Sequence, residues 1–103
     1  MTKSPLNSAA TQVRFSSYAE ADLDDIHTYI AERDPAAAVR LIDNLLKSAF
    51  QLGKFPHLGR HGRITGTREL SVPETPYFLV YTLTETTVDI ERILHSRRQY
   101  PSR

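Results

Sequence analysis

The tract at residues 77–84, YFLVYTLT, constrains the fold more than any other part of the chain. Its residues are almost all apolar, aromatic or β-branched, with no regular alternation of polar and apolar positions. A short run of this kind is typical of a strand that is buried on both faces. The sequence therefore predicts that this segment is the central strand of a sheet.

Strands are also predicted on either side of this tract, over residues 67–72 and 87–95. Only Glu85 and Thr86 separate the last two strands, so these strands are expected to form a hairpin. Alternation in the last strand places Leu94 on the same face as Val88 and Ile90. The three strands together predict an antiparallel meander.

Two amphipathic helices are predicted before the meander. Ser17 is a suitable N-cap for the first helix, with Glu20 three residues later as its capping-box partner. Asp22, like its acidic neighbours Asp24 and Asp25, is predicted to lie off the apolar face. That face consists of Ala19, Leu23, Ile26 and Ile30.

The second helix is predicted over residues 36–52. Asp34 and Pro35 suit its N-cap and first helical position, and Gly53 is expected to end it. Because so few residues separate the two helices, they should form an antiparallel hairpin whose apolar faces cover a sheet. The predicted core face of the second helix consists of Val39, Ile42, Leu46, Ala49 and Phe50.

With a short strand over residues 11–16, this order predicts an α+β fold. It has an N-terminal strand, a helical hairpin and a three-stranded antiparallel meander, with the helices packed on one face of a small sheet. Residues 1–10 are small and polar and are expected to be a flexible leader. Residues 11–103 then form a single domain, in keeping with a chain of 103 residues.

The amino-acid composition excludes several kinds of functional site. The chain has no cysteine, which excludes a disulfide framework, a thiolate nucleophile and a cysteine-type zinc site. No run approaches the roughly 18 apolar residues of a membrane span, and the N-terminus lacks the apolar core of a signal peptide. We therefore expect a cytoplasmic protein with no membrane partner.

The net charge of +1 hides an uneven distribution of charge. Residues 17–34 carry six acidic side chains against the single base Arg33, whereas basic residues dominate from Lys54 onward. This distribution predicts an acidic helical side and a basic end. The alternative is a set of solvated faces with no charged partner.

The basic end is most compact after the last strand, in the sequence HSRRQYP. Arg97 and Arg98, with Tyr100 nearby, suit a phosphate, a carboxylate or an acidic protein patch. The alternative for the arginines is a solvated tail. His95 either serves this surface or, as is common for an imidazole at the end of a strand, only hydrogen-bonds to a neighbouring backbone group.

The glycine-rich loop over residues 54–66 adds further candidates. Arg60 either contacts a target or caps the carbonyls of the helical hairpin. His57 and His61 lack an evident carboxylate or cysteine partner, so we expect them to be solvated loop residues. Neither a metal nor a cofactor is predicted.

Five blocks, taken in order, resemble the ParE branch of the RelE/ParE toxin superfamily. They are ADLDDIHTYI, the helical hairpin, FPHLGR, RELSVPETPYFLVYTL and VDIERILHSRRQYP. The resemblance spans residues 12–101 and implies two helices packed on a small antiparallel sheet. It also implies a type II toxin of the plasmid stabilisation kind, encoded beside an antitoxin that wraps the toxin and silences it.

The superfamily divides by target. RelE-like members resemble ribonucleases that cut messenger RNA in the ribosome, whereas ParE-like members resemble poisons of DNA gyrase with no bond-breaking chemistry of their own. RelE-like nucleases usually carry an arginine at the second position of a tract similar to YRLVY. Phe78 stands at that position in YFLVY, which favours gyrase as the target.

The leading prediction is a toxin that binds a cognate antitoxin, by strand addition or through a helix in an apolar groove, and acts on gyrase. Sequence-specific nucleic-acid binding is not expected. The predicted target-binding residues are Arg60, His95, Arg97, Arg98 and Tyr100.

Two alternatives stay open. The first is a ribosome-dependent endoribonuclease that uses His95 with Arg68, Arg97 and Arg98 to move protons and stabilise the phosphorane. The second is an inactive toxin that retains only antitoxin binding.

Overall fold

The computed structural model describes residues 11–101, and the predicted leader at residues 1–10 lies outside them. The elements are β1 (Gln12–Phe15), α1 (Ser17–Ala31), α2 (Pro35–Lys54), β2 (Arg60–His61), β3 (Arg68–Ser71), β4 (Tyr77–Leu83) and β5 (Thr87–His95). The five strands form one sheet in the order β1-β5-β4-β3-β2, with β4 at the centre as predicted.

Strand pairing confirms the predicted meander, because β3, β4 and β5 pair antiparallel. β1 instead pairs parallel with β5, with Gln12 opposite Thr87 and Phe15 opposite Ile90. The short strand β2, inside the predicted loop, pairs antiparallel with β3 and was not foreseen. The α+β fold is therefore confirmed, with a mixed sheet in place of a wholly antiparallel one.

The N-terminus of α1 differs from the prediction by one residue. Ser16 is the N-cap, and its Oγ accepts a hydrogen bond from the N–H of Ala19 at 3.0 Å. Ser17, the predicted N-cap, is the first helical residue. Ser16 takes this role because its own N–H bonds the carbonyl of Ile90 at 2.9 Å, which fixes the end of β1 against β5.

The start of α2 follows the prediction and its end does not. Asp34 Oδ1 accepts the N–H of Ala37 at 3.0 Å, and Pro35 is the first helical residue. The helix continues through Gly53 to Lys54. Gly53 serves packing instead, since a Cβ at this position would lie 3.2 Å from Val13 Cγ2 in β1. The absent side chain lets α2 approach the strand.

The main core lies between the helices and one face of the sheet. Leu45 and Leu52 of α2 pack with Leu79 and Tyr81 of β4 in this cluster. The predicted core face of α2 was wrong at two positions, because the hairpin and the sheet cover a different arc of the helix. Val39 is 64% exposed and Phe50 is 55% exposed.

A smaller apolar cluster covers the outer face of the sheet, the face away from the helices. Phe78, Val80 and Leu94 form it, and Tyr100 packs against them. These residues alternate along β4 with Leu79 and Tyr81, which face the helices. Both faces of β4 are therefore covered, as its composition predicted.

A bulge in β5 explains why Leu94 does not share a face with Val88 and Ile90. Tyr81 pairs with Ile90 and Val80 pairs with Arg92, so one residue of β5 has no partner on β4. The extra residue reverses the alternation that follows it. The predicted orientation of Leu94 was therefore wrong.

Asp22 was predicted to lie off the apolar face of α1, yet it is buried. Its two oxygens accept the Nε and Nη2 of Arg92 at 2.8 and 2.9 Å. One of them also accepts the N–H of Ile93 at 2.9 Å. A buried carboxylate needs partners of this kind, and here they join α1 to β5.

Between residues 11 and 101, no helix is both long and apolar enough to cross a membrane.

Candidate functional site

The chain turns tightly after β5, and the turn presents two of the predicted target-binding residues. The N–H of Arg98 donates to the carbonyl of His95 at 2.9 Å. The N–H of Arg97 donates to Nδ1 of His95 at 3.0 Å. Both arginines are exposed, and among residues 11–101 neither side chain forms an ion pair.

His95 makes structural contacts through its ring. Because Nδ1 accepts a hydrogen bond from the backbone, the neutral ring carries its proton on Nε2. The ring also meets Tyr77 edge to face, with centroids 5.3 Å apart. Backbone hydrogen bonding, one of the two roles predicted for His95, is therefore present, although it leaves Nε2 available to a partner.

Tyr100 lies over the outer face of the sheet. Its ring meets Phe78 at 5.9 Å between centroids, with the ring planes at 65°. Burial and the charge of Glu69 raise the pKa of the Tyr100 hydroxyl, while Arg63 and Arg92 oppose the rise. Tyr100 is thus a neutral side chain that anchors the end of the chain on the sheet.

Glu69 is a site residue that sequence reasoning missed. Its side chain is 1% exposed, and Oε1 contacts Arg60 Nη2 at 3.1 Å and Arg63 Nε at 3.2 Å. Oε2 accepts the N–H of Arg63 at 3.0 Å. The available signal was an acidic residue inside a short strand, following a loop that contains two arginines.

Capping the carbonyls of the helical hairpin was the predicted alternative to a target contact for Arg60. The side chain of Arg60 bonds the carboxylate of Glu69 instead. Its side chain is 65% exposed, so it can still meet a partner. Arg63 had not been singled out as a site residue. Its guanidinium lies 5.0 Å from the ring centre of Phe78 and 5.6 Å from that of Tyr100, and Nη1 donates to the Tyr100 carbonyl at 3.2 Å.

These contacts join the loop and the C-terminus into one surface. Glu69 links Arg60 to Arg63, and Arg63 links both to Tyr100. Arg60 and Arg63 share one buried carboxylate, and Arg97 and Arg98 precede Tyr100 in the chain and form no ion pair within residues 11–101, so the surface should attract anionic groups. We call it the C-terminal basic surface, which consists of Arg60, Arg63, Arg97, Arg98 and Tyr100.

Arg68 is not part of this surface. Its Nη1 donates to the Gly59 carbonyl at 2.7 Å, and its backbone pairs with Tyr81 of β4. His95 pairs with Tyr77 on the same strand. Four residues of strand separate these pairing positions by about 13 Å. The structure therefore does not bring Arg68 and His95 together at one reacting centre.

The two loop histidines are exposed. Within the described range, no group of three or more histidine, aspartate or glutamate side chains could hold a metal ion.

A second surface, apolar in character, lies on α2 and the neighbouring edge strand. Val39 and Phe50 are exposed on α2, and Leu46 between them is half-buried. The Phe50 ring meets Phe15 of β1 edge to face at 6.1 Å. Within residues 11–101, β1 is an edge strand, so Phe15 and Phe50 border an unpaired edge of the sheet. Val39 and Leu46 extend this apolar ground along the same face of α2. We call Phe15, Val39, Leu46 and Phe50 the α2–β1 apolar surface.

Sequence comparisons relate the chain to named toxins. A protein of Sinorhizobium fredii named "Putative toxin Y4kP" is 34% identical over 90 residues, which cover 87% of this chain and 93% of the relative. Toxin RelE1 of Caulobacter vibrioides is 35% identical over 89 residues, covering 84% of this chain and 95% of that one.

Solved structures share the fold. The chromosomal ParDE toxin–antitoxin system of P. aeruginosa matches with a TM-score of 0.78 at 20% identity, covering 84% of this chain and 97% of the other. The RelBE2 toxin–antitoxin complex of Mycobacterium tuberculosis matches with a TM-score of 0.60 at 27% identity, covering 84% and 98%.

The family model agrees with these matches. The model for the ParE toxin of the type II toxin–antitoxin system parDE matches residues 13–100, nearly the whole described range. The chain therefore belongs to the ParE toxin family of type II toxin–antitoxin systems.

Proposed function

We propose that this toxin arrests growth in the cytoplasm by poisoning DNA gyrase, stalling the enzyme with its DNA cleaved. The observation that carries the proposal is the environment of Phe78. RelE-like nucleases usually carry an arginine at this position, whereas here the ring is 5% exposed and lies beneath Arg63 and Tyr100. Phe78 cannot supply the charge that a phosphorane requires.

Arg63 does not replace that missing charge. Its guanidinium lies over the Phe78 ring, but Nε is paired with the buried carboxylate of Glu69. Nη1 is engaged with the Tyr100 carbonyl. Arg63 therefore already faces a carboxylate, which it shares with Arg60, and part of its hydrogen-bonding fork is occupied.

Proton transfer chemistry also lacks support. RNA cleavage requires one group to take the 2′-hydroxyl proton and another to protonate the leaving oxygen. Nδ1 of His95 accepts the N–H of Arg97, which leaves only Nε2 to move a proton. Arg68 lies too far along the sheet to act as its partner. A toxin that binds and stalls its target fits these side chains better than a nuclease does.

We propose that the toxin binds its target through the side chains of Arg97 and Arg98. Both are exposed and unpaired within residues 11–101. A guanidinium binds phosphate and carboxylate groups through two parallel hydrogen bonds. Cleaved DNA held by gyrase would offer phosphates, and gyrase itself would offer acidic side chains.

A cognate antitoxin is proposed as the partner that silences this toxin. The structural matches include toxin–antitoxin complexes, and the α2–β1 apolar surface combines exposed apolar side chains with a free strand edge. Such surfaces suit an added strand or an amphipathic helix. An extended or helical antitoxin segment is the occupant that we propose.

Antitoxin binding can be tested on this surface. The change Phe50→Ser should weaken binding to the product of the neighbouring antitoxin gene by tenfold or more, since it removes an exposed apolar contact of the kind that dominates interfaces. Lys47→Ser, on the same helix, is the control. Titration calorimetry measures both, and equal affinities for the two variants would contradict the assignment of the surface.

A ribosome-dependent endoribonuclease is the second candidate function. It is favoured by the 35% identity to Toxin RelE1. In that case His95 with Arg97 and Arg98 would act on messenger RNA. The change His95→Ala would then abolish both the cleavage of messages and the growth arrest.

One induction experiment separates the candidates. The toxin is expressed without antitoxin, and plasmid DNA and total RNA are taken from the same culture. Cleaved or relaxed plasmid with intact messages supports gyrase, whereas cut messages that disappear with His95→Ala support the ribosome. Normal growth with antitoxin binding intact would indicate an inactive toxin.

A further inference from the structure

The C-terminal tail, residues 96–101, is attached to the sheet through very few groups. At its start, the N–H of Ser96 donates to the Pro76 carbonyl at 2.7 Å, and the N–H groups of Arg97 and Arg98 bond to His95. At its far end, Tyr100 packs on Phe78 and its carbonyl accepts a hydrogen bond from Arg63. Between these two points lie the exposed Arg97 and Arg98. The position of the two arginines therefore depends on both attachments.

Arg63 is the side chain that secures the far end. One planar guanidinium bonds the Tyr100 carbonyl at 3.2 Å and lies 5.6 Å from the centre of the Tyr100 ring. It also lies 5.0 Å from the ring centre of Phe78, on which Tyr100 packs. A guanidinium between two aromatic rings stabilises both contacts at once.

Glu69 in turn fixes Arg63. The carboxylate is almost fully buried, and it receives both the backbone N–H and the side-chain Nε of Arg63. Two bonds to one residue define the direction of its side chain as well as the position of its backbone. Burial favours these hydrogen bonds strongly, because a carboxylate without partners is costly in free energy in the protein interior.

We propose that Arg63, oriented by Glu69, fixes the C-terminal tail on the outer face of the sheet and so holds Arg97 and Arg98 in the geometry that meets the target. Arg63 and Glu69 are positioning residues for target binding. The second half of this inference rests on the proposed role of Arg97 and Arg98 in target binding. The attachment itself does not depend on what the target is.

Attachment of the tail strengthens target binding through preorganisation. Two long arginine side chains on a free tail would lose conformational freedom when they bind, and this loss weakens binding. A tail that is already ordered loses less. Detaching the tail should therefore weaken target binding while the core and its stability change little.

The first measurement is hydrogen exchange on the full chain, read on peptides that cover residues 96–101. Arg63→Met retains the length of the side chain and removes its charge and its donors, so deuterium uptake in this segment should rise. Tyr100→Ala should have the same effect by removing the ring, and it tests the inference independently if Arg63→Met folds poorly. Tyr100→Phe retains the ring and the carbonyl and should match the wild type, as should the exposed control Arg40→Met.

The second measurement is inhibition of gyrase supercoiling by the same proteins. We expect Arg63→Met and Tyr100→Ala to need about tenfold more protein for half inhibition, and the exposed control Arg40→Met to act like the wild type. Faster exchange with unchanged inhibition would overturn the positioning role. Unchanged exchange in Arg63→Met and Tyr100→Ala would overturn the attachment.

Failure of the proposed function gives a different pattern. If the wild-type protein does not inhibit gyrase, the exchange data still decide whether Arg63 holds the tail. The positioning role is then judged by growth arrest on induction, where Arg63→Met and Tyr100→Ala should be weaker than the control Arg40→Met. Equal arrest by all three would overturn it.

Discussion

Tyr81 organises the loop that leads into the C-terminal basic surface. Its hydroxyl donates to the Pro56 carbonyl at 2.8 Å and accepts the N–H of Gly59 at 2.9 Å, and the residue is fully buried. Gly59 fits against it only because it has no side chain, since a Cβ there would lie 2.7 Å from the Tyr81 hydroxyl. One buried hydroxyl thus fixes the position of the loop before Arg60.

Removing that hydroxyl should destabilise the protein. Tyr81→Phe leaves the N–H of Gly59 and the carbonyl of Pro56 without their partner, at a cost of about 1–3 kcal/mol in the free energy of unfolding. Tyr29→Phe, at a position that is 58% exposed, is the matched control and should change little. Urea denaturation measures both, and equal stabilities would contradict the role of the Tyr81 hydroxyl.

Residue types in the C-terminal site could be read from the sequence, but their partners could not. The run from His95 to Tyr100 singled out exposed arginines, and they are exposed. Glu69 and Arg63 escaped notice because their pairing depends on the register of β2 against β3, where Arg60 lies opposite Glu69. No local pattern encodes that register, because the two strands are joined through an irregular loop.

The contact between α1 and β5 depends on Asp22. Asp22→Ala would leave the Arg92 guanidinium and the N–H of Ile93 without their acceptor, and we expect a loss of roughly 3 kcal/mol in the free energy of unfolding. Asp24→Ala and Asp25→Ala, exposed on the same helix, should stay within about 0.5 kcal/mol of the wild type. Similar losses for all three in thermal or urea unfolding would refute the pairing of Asp22 with Arg92.

The pairing of β1 with β5 should weaken in acid. Arg14 donates to Asp89 at 2.9 Å, and this bond lowers the pKa of Asp89 below its ordinary value of 3.8. Because the folded-state pKa is the lower one, the stabilisation is complete above the ordinary value and disappears as the pH falls through the folded-state pKa.

The test is the pH dependence of stability between about pH 5 and pH 2. Asp89→Asn cannot ionise, so it should lose less stability than the wild type over this range. The effect should be small because Arg14 is largely exposed, with 61% of its side chain accessible. Glu85→Gln in the exposed β4–β5 turn is the control. A steeper acid loss in Asp89→Asn than in the wild type would contradict the assignment.

Element types followed from local sequence, whereas details at their ends depended on tertiary contacts. The apolar tract of β4 and the Asp34–Pro35 start of α2 were readable because burial and capping leave local patterns. The bulge in β5 and the passage of α2 through Gly53 were not readable. The first reflects how β5 meets β4, and the second reflects the close approach of β1.

At the scale of the whole molecule, the predicted separation of charge follows the layers of the fold. The exposed acids of α1 lie on the helical side of the sheet, and the Glu69–Arg63–Tyr100 contacts lie with Phe78 on the outer side. Two chemically different surfaces are thus available on one small domain. The basic one suits an anionic target, and the α2–β1 apolar surface is free for the antitoxin that we propose.

The most direct test of the central claim is a plasmid supercoiling reaction with purified gyrase, ATP and the purified toxin. The proposed function predicts loss of supercoiling and accumulation of linear plasmid trapped by the enzyme. The double change Arg97→Ala, Arg98→Ala should reduce both effects with little change in melting temperature, because these side chains are exposed. An unaffected reaction with a toxin that still arrests growth in cells would contradict the gyrase assignment and direct the search to the ribosome.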